Sequence, residues 1–536
     1  MNARPAASNT WLAASLTAIP WLNPFTFGPM SGAVPWIVSF ACTLALWLLA
    51  RRSTPQVHWG IAAAASLGVL WTAVVHHVGS EAFYLGAGLL LMVIATALPS
   101  SPAAANGIQR GLLIAASLNA LIGLSQYFGI APHLQPWVFA GNAGEAYGNL
   151  RQPNQYVSLC WMGIALLLFG RPKLSQNASL CLAVLLAVAA AASTSRTGLL
   201  QALLVFALAL AWPGDARRQR FMLSVAALAA YFCAAALLPL LLQSVTGELP
   251  ARTLWNRFGA GDSCSSRAVL WSNVLHLIAQ KPLIGWGWGE LDYAHFATLY
   301  PDERFCDILD NAHNLPLHLA VELGVPAAVL ISALALGWLI RQRPWAEQNP
   351  QRQCAWSLLL LLLLHSLLEY PLWYGPFQLV LGASIGWLRV DESTPSVPRF
   401  PRLSTALASL LLVTTAYASS DYVRVSQAYL QPEQRFSRWR EAPLSQAGGS
   451  WLFANQVTFA ELTTTELTRA NANWMYQTSK LMLHHSPEPR VIERAVESAS
   501  LVGNESEALL QLARFRAAFP REYEAWRKSA ALPRQD

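Results

Sequence analysis

Apolar positions along this chain come in long runs separated by short polar breaks. Many of the runs approach the roughly 17 to 25 residues that cross a bilayer core of about 30 Å as a helix. The spans read from them are 11–23, 34–50, 58–78, 82–98, 109–130, 154–170, 177–193, 198–213, 221–243, 315–340, 354–370, 376–388 and 403–419. That is about thirteen, with the first short and the twelfth marginal. Two passages break the pattern. Residues 244–314 form a long polar stretch between two very apolar segments. From Ser420 onward, segments 421–430, 433–441, 451–466, 468–485, 488–502 and 504–518 carry amphipathic helical spacing and richer charge. The pair 491–499 and 505–513 is similar to a degenerate tetratricopeptide-like hairpin ending at Phe519-Pro520. It reads either as a small helical cap or as a docking surface for an acceptor protein. The expected organisation is therefore helices over 1–243, a large loop over 244–314, further spans over 315–419 and a helical tail over 420–536.

Composition points the same way. Only 12% of the 536 residues are charged and 54% are hydrophobic, with 22 tryptophans; soluble domains carry about 25% charged residues. The mean hydropathy is +0.34. Trp11, Trp36, Trp47, Trp161, Trp373 and Tyr374 stand at run ends, where interfacial anchors belong. Arg4 precedes an apolar run interrupted by Pro20 with no convincing small-residue cleavage site after it, so no cleaved signal peptide is read there.

Loop charge sets the orientation. Alternating the loops puts Arg4, Arg51-Arg52, Arg110, Arg171, Lys173, Arg217-Arg218, Arg220, Arg341, Arg343, Arg352, Arg389, Arg399 and Arg402 on one side, which the positive-inside rule makes cytoplasmic. This bias explains most of the net charge of +7, so a nucleic-acid partner is not called for. The opposite side receives 24–33, 79–81, 131–153, 194–197, 244–314, 371–375 and the tail. Its short loops hold two basic residues, Arg151 and Arg196, against the topogenic bias.

These outer segments hold the candidate chemistry. Residues 24–36 are a Pro/Gly-rich loop without periodicity. Gly148-Asn-Leu-Arg151-Gln152-Pro153-Asn154-Gln155 reads either as a capped turn whose Arg151 reaches lipid headgroups or as a polar cluster for a pyrophosphate or sugar. Ser193-Thr-Ser195-Arg196-Thr197-Gly198 reads either as a plain hairpin turn or as an anion site, with a guanidinium beside a helix N-terminus. In the large loop, Ser266-Arg267 opens a stretch with helical spacing at Val269, Leu270, Val274, Leu277 and Ile278. Pro282-Leu-Ile-Gly285-Trp286-Gly287-Trp288-Gly289 suits close backbone approach, a sugar-stacking surface or an interfacial anchor. Of seven cysteines, Cys264 and Cys306 alone lie in the outer loop, where a disulfide is expected. No cysteine has zinc-ligand spacing. His313-Asn314 stands where the loop re-enters the membrane. Glu322 is expected inside the following span, and Glu369-Tyr370 at the outer end of the eleventh, with His365 one turn earlier and placed to bond Glu369. Carboxylates at such depths are paired or functional.

These motifs together resemble the Wzy/WaaL superfamily of bacterial lipid-linked glycan polymerases and ligases, and most of all its PglL-type protein O-oligosaccharyltransferases. The resemblance rests on Gly148 to Gln155, Ser195 to Gly198, Ser266-Arg267 with Trp271, Pro282 to Gly287, and His313-Asn314-Leu-Pro-Leu-His318 through Glu322-Leu-Gly324. The loop 24–36 and Glu369-Tyr370-Pro371-Leu-Trp373 fit the PglL branch. The resemblance implies an all-α polytopic fold of the GT-C glycosyltransferase kind in the bacterial inner membrane. It also implies a donor glycan on undecaprenyl pyrophosphate, a periplasmic acceptor such as pilin, and no metal or other cofactor. Arg151, Arg196 and Arg267 would then offset the charge of the departing pyrophosphate. His313 would handle the acceptor hydroxyl, with Glu369 or Glu322 orienting it, and Gln152, Asn154, Asn314 and Tyr370 in support. An O-antigen ligase or a glycan polymerase would use the same donor with another acceptor. A transporter or flippase is the reading from helix number alone; broken half-helix repeats are not evident, and the polar residues gather on one face.

Overall fold

The computed structural model describes residues 4–50, 63, 66–72, 80–170, 172–256, 264–389 and 401–531. Every regular element among them is helical. Among the described residues six helices are long and apolar enough to cross a membrane: Ala33–Ala50, Phe83–Ser100, Pro102–Tyr127, Arg217–Thr246, Val325–Ala346 and Arg402–Tyr429. Three shorter apolar helices accompany them, Pro153–Phe169, Gln176–Ala192 and Arg196–Ala211. This is a membrane protein with fewer full-length spans among its described residues than the thirteen read from the sequence. The expected span 58–78 lies largely outside the described residues.

By its internal contacts the chain divides into two units, neither continuous in sequence. The first comprises Met1–Leu67, Gly86–Ala260 and Ala335–Ala416, and the second Gly68–Leu85, Gly261–Leu334 and Tyr417–Asp536. The large loop and the tail, read separately from the sequence, thus belong to one unit.

The first unit is built around helix Pro153–Phe169, which is buried from Gln155 to Phe169. A helix apolar on every face is stable only when surrounded. Helices Pro102–Tyr127, Gln176–Ala192, Arg196–Ala211, Arg217–Thr246 and Pro350–Ser366 all pack on it. Small residues permit the closest contacts. A methyl group at Gly111 would lie 2.3 Å from the Ala14 carbonyl oxygen of helix Arg4–Leu22, the kind of backbone approach that holds helices together where lipid removes the hydrophobic drive.

The second unit combines the loop helices Arg267–Gln280, Leu291–Ala297 and Leu315–Leu323 with the tail helices Ala454–Thr464, Ala472–His485, Pro489–Leu501, Glu505–Ala518 and Pro520–Ala531. Leu270, Val274 and Leu277 of the first loop helix are buried with Phe305, Leu309, Ala312 and Val321, the face expected from their spacing. Phe296 enters the tail's core beside Phe459, Met475, Leu483, Ile492 and Phe515. Cys264 and Cys306 are joined as a disulfide across 42 positions. Tyr84 Oη donates to the Leu452 carbonyl at 3.0 Å, tying the start of helix Ser80–Ala97 to the tail.

Two expectations need correction. The run 315–340 is two helices, Leu315–Leu323 and Val325–Gln342, parted at Gly324 with φ 88°. Glu322 therefore lies in a short separate helix and not inside a span. Backbone pairing causes the break: Val325 N–H donates to the Pro282 carbonyl, Trp286 N–H to Val321 and Gly287 N–H to Glu322. Residues 433–441 form only two short 3-10 turns, Pro432–Gln434 and Ser437–Trp439. There Gln427 Oε1 accepts the Phe436 N–H, and Arg435 donates to the carbonyls of Leu430 and Arg440. Side chains thus take the backbone groups a helix would have used. The hairpin read at 491–513 ends at Phe519, and Pro520 opens a further helix beyond it, a position proline suits.

Candidate active site

The sequence-selected residues form two clusters, one in each unit. In the first unit the Arg151 loop is braced from below by two buried amides of helix Pro102–Tyr127. Asn119 Oδ1 accepts the Asn149 N–H at 2.9 Å, and its Nδ2 donates to the Trp21 carbonyl. Gln126 Oε1 accepts the N–H groups of Tyr147 and Gly148, and its Nε2 donates to the carbonyls of Phe139 and Gly148. Gly148 has φ 58°, and a methyl there would fall 2.5 Å from Asn119 Oδ1. The loop ends in Arg151, itself left-handed with φ 60°. Its guanidinium donates to Thr26 Oγ1 of the Pro/Gly-rich loop and lies 5.6 Å from the Phe139 ring centre. Burial lowers its pKa, and Tyr374 acts in the opposite direction. Gln152 then caps helix Pro153–Phe169, accepting the Gln155 N–H at 2.6 Å.

Asn154 links three helices. Its Nδ2 donates to Glu369 Oε1 at 2.6 Å, and its Oδ1 accepts from Ser195 Oγ at 2.5 Å. Ser195 also caps helix Arg196–Ala211 through the Gly198 N–H, which sets the exposed Arg196 on the first turn. Glu369 is buried in the turn after helix Pro350–Ser366 and lines a small cleft with Gln152, Gln155, His365, Tyr370, Pro371 and Tyr374. One turn deeper, His365 Nδ1 meets Ser158 Oγ at 2.9 Å, and Gln201 Nε2 donates to the same hydroxyl at 2.7 Å.

The second cluster centres on residues 311–314. Asn311 Oδ1 accepts the His313 N–H at 2.9 Å and supports a left-handed His313 with φ 50°. Asn314 caps helix Leu315–Leu323 through the Leu317 N–H. Ser266 caps helix Arg267–Gln280 through the Val269 N–H, which places Arg267 on the first turn; its NH1 donates to the His313 carbonyl at 3.5 Å. Trp271 Nε1 donates to the Ala312 carbonyl at 3.1 Å. Glu322 pairs with His318 at 3.2 Å. The glycine-aromatic turn serves close approach, since a methyl at Gly285 would lie 2.3 Å from the Glu322 carbonyl oxygen. Burial raises the Asp310 carboxyl above its ordinary pKa, and His313 and His318 oppose that rise.

One local rule recurs. Arg151, Arg196, Arg267 and His313 each stand within one residue of a side-chain-capped helix start. The positive end of a helix dipole reinforces a basic side chain there, so each position favours an anion. Moreover, of the four described non-glycine residues with left-handed backbone, Arg151, Thr194 and His313 fall in these motifs. Such conformations cost energy and persist where the surroundings enforce them. Among the described residues no group of three or more His, Cys, Asp or Glu is arranged to hold a metal.

Sequence reasoning gave no role to Asn119, Gln126, Thr26 and Asp310, and it quoted Asn311 and His318 within the motif without assigning either a task. A signal existed for the first two: amides seven positions apart face the same side of the largely apolar stretch 111–127.

Residues 181–332 match the family model described as O-Antigen ligase, and residues 353–532 match that described as Virulence factor membrane-bound polymerase, C-terminal. Two curated relatives come from Acinetobacter baylyi. A ComP-specific O-oligosaccharyltransferase is 26% identical over 293 residues, 54% of this chain and 52% of the relative. A General O-oligosaccharyltransferase is 25% identical over 335 residues, 60% of this chain and 58% of the relative. The chain thus spans a little over half the length of these relatives.

Proposed function

We propose that this chain, a PglL-type member of the Wzy/WaaL superfamily, transfers a preassembled oligosaccharide from undecaprenyl pyrophosphate to Ser or Thr hydroxyls of a periplasmic protein of the pilin kind. The observation that carries the reading is the recurrence of a basic residue at four capped helix starts. In this reaction the acceptor oxygen attacks the anomeric carbon of the first sugar, and the bond from that carbon to the pyrophosphate oxygen breaks. The hydroxyl proton passes to His313, and the charge left on the pyrophosphate is offset by Arg151, Arg196 and Arg267. Glu369, held by Asn154, orients the groups around the reacting centre, with Gln152, Asn314 and Tyr370 in support. Arginines fill the place of a cation, so the reaction proceeds without metal or other cofactor. The enzyme resides in the bacterial inner membrane with these residues and the tail facing the periplasm.

Reconstitution of the purified protein with a lipid-linked glycan and three acceptors tests the reading: a pilin-type protein, lipid A core and a second glycan lipid. Glycan on the pilin, undiminished by chelator, is the expected result. Glycan on lipid A core, or a lengthened glycan lipid, would reassign the chain to ligase or polymerase chemistry. Arg→Lys changes at the three arginines keep the charge but lose the planar fork, so donor affinity and transfer fall together. His313→Ala is expected to abolish transfer while donor binding remains. Near-wild-type transfer by that variant would overturn the assignment of the base.

A further inference from the structure

We infer that a second histidine, His318, acts with Glu322 as a positioning pair that fixes the backbone carrying His313. The inference rests on the reading of His313 as the group that takes the acceptor proton.

His318 and Glu322 lie one turn apart on helix Leu315–Leu323 and are 2% and 1% exposed. His318 Nε2 is 3.2 Å from Glu322 Oε2. The other ring nitrogen, Nδ1, accepts the Ala312 N–H at 3.5 Å. A neutral imidazole that accepts at Nδ1 carries its proton on Nε2, the nitrogen 3.2 Å from the carboxylate oxygen. Glu322 therefore selects the tautomer in which His318 can hold Ala312. The other tautomer would set an N–H against the Ala312 N–H and push the loop away. The Trp288 ring packs edge-on to His318 at 5.9 Å and fixes the imidazole plane.

The segment so held matters for its neighbour. Trp271 takes the Ala312 carbonyl, Arg267 the His313 carbonyl and Asn311 the His313 N–H. His318 supplies a further anchor, and these contacts act together on His313, held at φ 50°. A purely packing role is a poor account of the pair. An apolar residue would fill the space without burying a carboxylate whose described partner is the His318 ring, and a buried charge is costly to retain.

Full-length protein in nanodiscs provides the test, through variants His318→Asn, His318→Leu and Glu322→Gln. Asparagine places an acceptor near the position of Nδ1; leucine does not. Amide hydrogen exchange of the peptide spanning 311–314 reports the anchor directly, while donor affinity, acceptor KM and kcat report its consequence. His318→Leu is expected to speed exchange across 311–314 and lower kcat by about tenfold, what loss of one positioning hydrogen bond supplies, with donor affinity nearly unchanged. His318→Asn recovers most of both, and Glu322→Gln falls between. Unchanged exchange and kcat in His318→Leu would overturn the proposal, as would equal losses in the leucine and asparagine variants. A wild-type chain that glycosylates no acceptor would sink the functional reading instead, while the exchange comparison would still decide whether His318 anchors Ala312.

Discussion

Asn154 and Glu369 are separated by 215 positions in sequence and joined by a 2.6 Å hydrogen bond. The same amide accepts from Ser195 Oγ. One side chain thus couples the buried carboxylate to the cap of the helix that presents Arg196.

This coupling predicts a pattern in double mutants. Asn154→Leu leaves the buried Glu369 and Ser195 without their shared partner, and stability is expected to drop by about 1–3 kcal/mol. Replacing both Asn154 and Glu369 with leucine removes both ends of that bond and restores part of that loss. Thermal unfolding of the single and double variants checks it. A double variant less stable than the sum of the singles would show that the bond is not what links them.

The left-handed backbone at Arg151 separates stability from activity. Arg151→Gly and Arg151→Ala both remove the guanidinium, so both are expected to lose transfer. Glycine tolerates φ 60° and alanine does not, so the glycine variant should be the more stable by about 1 kcal/mol. Denaturation curves of the pair decide this.

Gly285 and Gly324 face each other's backbone. A methyl at Gly324 would lie 2.2 Å from the Leu283 carbonyl oxygen, and one at Gly285 2.3 Å from that of Glu322. Gly285→Ala is expected to destabilise the second unit by about 1–3 kcal/mol or more and to loosen helix Leu315–Leu323 in hydrogen exchange. Gly337→Ala is the control, with nothing within 4 Å of the added methyl; it should be neutral or mildly stabilising.

His295 sets a pH dependence. It is 3% exposed, its Nδ1 meets Tyr300 Oη at 2.8 Å and its Nε2 meets the Phe305 carbonyl at 3.1 Å. Burial first, and Arg304 second, lower its pKa from 6.5 to about 3. A depressed folded-state pKa contributes stability that is present above 6.5 and is lost as pH falls towards about 3. Unfolding temperature of the wild type should therefore decline below pH 6.5 more steeply than that of His295→Gln, whose amide has no proton to gain. Parallel profiles would show that other groups control the acid limb.

The apolar runs made most helices legible, and the capping residues are the short-range signals of the helix starts in the candidate site. Gln152 before Pro153, Ser195, Ser266, and Asn314 before Leu-Pro are short-range signals, readable because each acts within three residues. What stayed hidden depends on partners far away in sequence. In the run 315–340, Gly324 followed by Pro326 is a stop signal that the unbroken apolar count overrode; the 282–289 turn zipped against it was not legible. Glu322 looked like an orienting group for His313 because the sequence shows both residues in one motif. Only the helical face, one turn from His318, reveals its partner. Asn119 and Gln126 carried a signal in their seven-residue spacing but not its target: their work is done for a loop that begins after their own helix has ended.

The seat of Phe296 among the tail helices bears on how the molecule is made. Helix Leu291–Ala297 leaves the ribosome long before residues 454–518 exist. Throughout that interval its aromatic ring has no core to enter, and the loop remains open to chaperones and proteases. Completion of the tail ends the exposure, so a chain cut short by a premature stop would keep an unsealed loop.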